Sequence, residues 1–171
     1  MAGGWYTRHK SPIWTSSTSW ANFWAVAILV TFLDAAIFCS KAQRHIEVHP
    51  ELREGYRTLI KGFVTWTNLP WIVMGIGCVY GGVPSVYSFF RPRDGNPYVL
   101  AFFCSVFLLW FLGTYWLVFR GGAQKLIDHP GLLNFDFKRP GSVIVIWLLR
   151  VLGGITGVIL MFSRDWPISP R

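Results

Sequence analysis

Residues 20–39 have the sequence WANFWAVAILVTFLDAAIFC, which contains a single charged side chain, that of Asp34. A helix of about 20 mostly apolar residues can cross a bilayer, because each residue adds about 1.5 Å and the hydrocarbon core is about 30 Å thick. The segment therefore predicts a transmembrane helix. It is longer than the apolar core of a typical secretion signal and carries an acid, so we expect it to be retained rather than cleaved.

Three further apolar runs of similar length follow, at residues 62–80, 98–119 and 143–162. Charged residues make up only 14% of the 171-residue chain, whereas typical soluble proteins contain about 25%. The sequence therefore predicts an all-α integral membrane protein whose four transmembrane helices form one domain over residues 20–171. The preceding residues 1–19 are rich in aromatic and polar side chains, which is typical of a segment that lies at the membrane interface.

The distribution of basic residues predicts the orientation and the partners. Nine Lys and Arg residues lie in the connectors between the first and second and between the third and fourth spans, and six lie on the opposite side. The positive-inside rule therefore places both termini on the non-cytoplasmic side. The net charge of +8 would also suit nucleic acid, but no nucleic-acid-binding motif is visible. We expect the partners to be the bilayer and other membrane subunits or further copies of the chain.

Two segments resemble each other within the chain. Residues 32–52 (FLDAAIFCSKAQRHIEVHPEL) and 111–132 (FLGTYWLVFRGGAQKLIDHPGL) share Phe-Leu, Ala-Gln with a base, an Ile with an acid, and His-Pro-x-Leu, in the same order. Because two spans separate the copies, both would enter the membrane in the same direction. The pattern predicts two tandem helical hairpins related by a parallel repeat, with an axis along the membrane normal.

Each span offers a polar side chain at a similar predicted depth, roughly 10–12 Å below the side that carries the connectors between the first and second and between the third and fourth spans. These residues are Asp34, Asn68, Thr114 and Arg150. A charged group near the centre of a membrane helix is costly, so we expect Asp34 to pair with Arg150 and the other two to form hydrogen bonds around them. This layer would be a structural clasp or a site for an ion, a proton or a lipid headgroup. Alternatively, Arg150 extends to the interface or pairs with another subunit.

The histidines suggest a weaker hypothesis. His45 and His49 are four residues apart, a spacing that suits a metal ion, and His129 is the repeat counterpart of His49. A metal or haem site is thus conceivable, but Pro50 would break a helix at His49 and no histidine lies inside a span. We favour helix capping and loop hydrogen bonds for all three. The abundant aromatic residues leave contact with lipid or pigment open, and no cofactor is identified.

No catalytic motif is present: the sequence has no phosphate-binding loop, nucleophile elbow or zinc-protease signature. We therefore disfavour an enzyme and expect a non-catalytic, accessory subunit of a larger membrane complex. One alternative is a small oligomeric transporter or channel that uses Asp34, Asn68 and Arg150. A second alternative is a membrane redox or quinone-interacting protein that uses the histidines.

Overall fold

The computed structural model describes residues 22–133 and 137–163, and this part of the chain is helical without any β-strand. The long helices are α1 (Phe23–Val48), α2 (Arg53–Val79), α3 (Pro97–Phe119) and α5 (Pro140–Ser163), and α4 (Gly122–Ile127) is short. Short 3₁₀ helices span Pro50–Leu52, Val86–Phe90 and Pro92–Asp94. The four long helices are long and apolar enough to cross a membrane, which confirms the prediction of a helical chain with four helices of membrane length. The predicted interfacial segment at residues 1–19 lies outside the described residues.

The first two helices are longer than the predicted spans. Helix α1 continues beyond residue 39 to Val48, and α2 begins at Arg53 rather than at residue 62. The added turns contain good helix formers and bury Ala42, Ile46 and Tyr56 against one another. The intervening Pro50–Leu52 turn places proline at the first helical position, where its missing N–H has no intrahelical partner in any case.

The long helices pack in chain order: α1 against α2, α2 against α3, and α3 against α5. The first and last helices share no extensive interface. We call the end that carries residues 49–52, 120–133 and 137–139 the loop end, and the opposite end, which carries residues 80–96, the 80–96 end. This serial arrangement leaves one face of α1 and one face of α5 on the outside of the bundle.

A buried apolar cluster fills the 80–96 end. Its members are Met74, Val83, Val86, Phe89, Val99, Phe103 and Val158. Three of them, Val83, Val86 and Phe89, come from the segment between α2 and α3, which lies outside the predicted spans. Val86 and Phe89 are three residues apart, which matches the period of the 3₁₀ helix Val86–Phe90 that contains them. That spacing is the signal that could have predicted a buried connector.

Two glycines in the long helices pack against tryptophan rings of the adjacent helix. The indole of Trp110 on α3 lies over Gly154 of α5, and the indole of Trp147 on α5 lies over Gly113 of α3. A Cβ atom on either glycine would lie 2.5 Å from an indole carbon. Small residues in membrane helices often allow backbones to approach closely, whereas each of these two glycines makes room for a tryptophan ring.

Candidate functional site

The predicted polar layer is spread over separate contacts. On α3, the Thr114 hydroxyl accepts a hydrogen bond of 2.9 Å from Nε1 of Trp147 on α5. This bond joins the two helices whose tryptophans and glycines interlock. Thr114 therefore serves the α3–α5 contact, and it does not lie beside an Asp34–Arg150 pair.

Asn68 is the buried member of the layer, with 5% of its surface exposed. Its Nδ2 donates to the Val64 carbonyl at 2.8 Å within α2. Its Oδ1 and the indole Nε1 of Trp24 have no hydrogen-bond partner among the described residues. Two residues on, Pro70 provides no N–H for the Trp66 carbonyl. A buried polar atom without a partner, such as Asn68 Oδ1, costs about 1–3 kcal/mol.

The two charged members of the layer do not meet. Asp34 and Arg150 are both exposed, and within residues 22–133 and 137–163 they form no ion pair with each other. The reason is the serial packing, because α1 and α5 lie at opposite edges of the row of helices. The Asp34–Arg150 pair expected from equal depth is therefore not formed within one chain.

A cluster at the loop end centres on Tyr56, which the sequence interpretation did not single out. Its side chain is 1% exposed and its hydroxyl donates to the Pro130 carbonyl at 2.8 Å. The edge of the His129 ring approaches the tyrosine ring with centroids 4.8 Å apart, and His45 stacks on it at 6.5 Å. The signal in the sequence was the apolar spacing of Tyr56, Ile60 and Val64, which marks one buried helical stripe.

The three histidines serve different contacts. His129 Nδ1 lies 2.7 Å from the Lys125 carbonyl, and its ring lies so close to Gly55 that any Cβ atom there would overlap it. His49 is exposed and lies 3.1 Å from Glu51 Oε1. The structure thus brings His45 and His129 together around Tyr56 and places His49 elsewhere. No group of three or more His, Cys, Asp or Glu side chains that could hold a metal ion occurs in the described part of the chain.

We expect Tyr56→Phe to destabilise the folded chain by about 1 kcal/mol, because it removes the hydrogen bond to Pro130 and keeps the ring contacts. The measurement is denaturant unfolding in detergent, with limited proteolysis of residues 128–133 as a local readout. The control is Tyr115→Phe, since Tyr115 is exposed on α3. If both variants unfold at the same free energy, the hydrogen bond from Tyr56 to Pro130 does not stabilise the connector at residues 128–133.

The loop-end cluster joins the connector of the second hairpin to the first hairpin through one hydrogen bond, from Tyr56 to Pro130, and one ring contact, between Tyr56 and His129. Among the described residues, Asp34 and Arg150 are exposed on apolar helices without an ion-pair partner, and Asn68 Oδ1 and Trp24 Nε1 are buried without a hydrogen-bond partner. These are the candidate functional groups of the chain. Comparison of the chain with protein-family models, with curated proteins and with solved structures found no match.

Proposed function

We propose that this chain is a non-catalytic subunit of a larger membrane complex, held in place by contacts of its two outer helices. The observation that carries the proposal is that Asp34 and Arg150 are exposed on apolar helices without an ion-pair partner in the part that the structure describes. A charge near the centre of a membrane helix costs about 2.5–3.5 kcal/mol on insertion scales, so it favours a partner of opposite charge.

The surface around Asp34 is otherwise apolar. Val30, Leu33 and Ile37 lie on the same side of α1, one turn or less away, and each is about half exposed. Aspartate has too short a side chain to reach the headgroups from the depth expected here, whereas Lys and Arg can extend that far. The Asp34 face therefore favours a neighbouring helix that supplies a basic or hydrogen-bond-donating side chain.

The surface around Arg150 is suited to close helix contact. Gly153 and Gly157 follow Arg150 by three and seven residues, so all three lie on one face of α5. A Cβ atom on either glycine would meet nothing within 4 Å, unlike one on Gly154, which would meet Trp110. The small-xxx-small face of α5 is thus not covered by any of the described residues, and such faces bring membrane helices together. Arg150 beside it favours a partner helix that carries an acid.

The proposal includes insertion in the membrane and an orientation. The four long helices would cross the bilayer, with the loop end on the cytoplasmic side and both termini on the other. The support is the excess of Lys and Arg in the two loop-end connectors. Attachment of a reporter enzyme that is active on only one side, at residue 95 or after residue 171, tests this orientation.

We also retain the internal repeat as part of the proposal. In both copies the glutamine side chain donates to an acid four residues on, Gln43 to Glu47 at 3.5 Å and Gln124 to Asp128 at 2.8 Å. The alanine that precedes each glutamine is buried in its own hairpin. The copies differ in that α1 is continuous through this segment, whereas α3 ends at Phe119 and the chain turns at Gly121–Gly122. These local equivalences support two related hairpins.

The test is extraction of the chain from its native membrane in mild detergent, followed by a native gel and mass spectrometry of the band. We expect a band far above 19.5 kDa that contains other membrane proteins in fixed ratio. Asp34→Leu and Arg150→Leu should each release the chain from this band. A small homo-oligomer without other chains would overturn the proposal and direct attention to transport.

Matched controls separate loss of a charge from loss of apolar surface. Leu33→Ala and Leu149→Ala alter exposed neighbours of the two charged residues, and both leucines are more than half exposed. We expect these variants to remain in the complex. If the leucine variants leave the complex as readily as the charge variants do, the charges are not the specific contacts.

A further inference from the structure

A groove of about 450 Å³ lies between α1 and α2 at the loop end. Its apolar floor includes the buried Ala42, Ile46 and Tyr56 and the half-buried Ile60 and Val64. The groove continues along α2 towards the apolar part of the helix, as far as Thr65. It therefore joins the polar end of the chain to the region that the proposed membrane core would occupy.

One wall of the groove carries three cations. Arg53, Arg57 and Lys61 are spaced by four residues, so they lie on one face of α2 with about 6 Å between successive positions along the axis. All three are exposed. Like charges four residues apart on a helix repel each other. An anion that lies between them relieves this repulsion.

The nearby acids neutralise the wall only in part. Arg57 lies 3.6 Å from Glu54, but both side chains are 78% exposed, and exposed pairs contribute little. Glu47 accepts a hydrogen bond from Gln43, another groove residue, at 3.5 Å. Residues 41–61 together carry five Lys and Arg residues against three Glu. The groove thus retains an excess of positive charge beside an apolar floor.

We propose that this groove binds one anionic phospholipid. Its phosphate would lie along the wall formed by Arg53, Arg57 and Lys61, and an acyl chain would lie on the floor beside Ile60 and Val64. Lys61 is the last charged residue before the apolar run of α2, so the wall lies at the level of lipid headgroups. Basic pockets between membrane helices recognise acidic headgroups in this way. This inference does not depend on the assignment of the chain to a larger complex.

The test uses the purified full chain, delipidated in a neutral detergent, with phosphatidylglycerol as the probe. Binding is followed by native mass spectrometry and by the rise in Tm. We expect phosphatidylglycerol to bind with a stoichiometry of one and to raise Tm. Phosphatidylcholine and inorganic phosphate, at the same concentration, should give neither effect. The variant Arg57→Gln/Lys61→Gln should weaken binding at least tenfold.

The control is Arg120→Gln/Lys125→Gln, which removes two exposed cations at the same end but outside the groove. It should bind the lipid as the unmodified chain does. Arg53→Gln/Lys61→Gln provides a second groove variant, and circular dichroism verifies that each variant folds. Equal weakening by groove and control variants would overturn the site in favour of general charge attraction. An equal effect of inorganic phosphate, or no effect of phosphatidylglycerol, would also overturn it.

Discussion

Replacing Phe89 with alanine is expected to destabilise the folded chain by about 3–5 kcal/mol, the range for a fully buried phenylalanine. Phe89 is 1% exposed and packs edge-on against Phe102 of α3, with ring centroids 5.3 Å apart. On its other side it touches Gly77 of α2, where a Cβ atom would lie 3.1 Å from the ring. Loss of the ring leaves a cavity between two helices and the connector that joins them.

The adjacent residue provides the control for this prediction. Phe90 is 42% exposed and belongs to the same 3₁₀ helix. Phe90→Ala should therefore cost less than Phe89→Ala, because it removes less buried surface. Unfolding in detergent, followed by circular dichroism, measures both variants. A loss of the same size in the two would mean that the connector does not form part of the core.

Gly154→Leu is expected to destabilise the contact between α3 and α5 by about 1–3 kcal/mol or more, since it adds volume to a filled space. A Cβ atom alone would lie 2.5 Å from two carbons of the Trp110 indole. The ring is rigid, so it has to leave the surface of α5. Displacement of the helices would also lengthen the hydrogen bond between Trp147 and Thr114.

Gly153→Leu is the matched control, because a Cβ atom at Gly153 would meet nothing within 4 Å in the described structure. It should preserve or slightly raise the stability of the isolated chain, since leucine favours helix over glycine by up to about 1 kcal/mol. It should instead release the chain from the proposed complex, because it fills the open face beside Arg150. If the two variants destabilise the isolated chain equally, helix flexibility rather than ring contact explains the effect.

A double variant isolates the ring contact. Trp110→Ala removes the indole that Gly154 accommodates, so the added leucine has space in its presence. We expect Gly154→Leu and Trp110→Ala together to cost less than the two single variants added, with a coupling of about 0.5–3 kcal/mol. Strict additivity would show that the leucine acts on some other neighbour.

The sequence anticipated a large part of the fold. Hydropathy located four membrane-length helices, and the start of the fourth at Pro140 differs from the predicted residue 143 by a few positions. It did not anticipate that α1 and α2 extend beyond their apolar runs, because those turns are stabilised by contacts of Ala42, Ile46 and Tyr56 between the two helices. Hydropathy detects helical segments that are apolar over about 20 residues. The formation of a polar helical turn beyond such a segment depends on the residues that pack against it.

For the candidate site, the sequence by itself identified Asp34 and Arg150 as the charges within apolar helices, since their chemical type and position suffice. Only the tertiary structure decided that they face outwards on separate helices rather than towards each other. Depth along a helix follows from counting residues at a fixed rise, but the direction of a side chain depends on which helices are neighbours. That order is set by close contacts such as Trp110 on Gly154 and Tyr56 on Pro130, which join residues far apart in sequence.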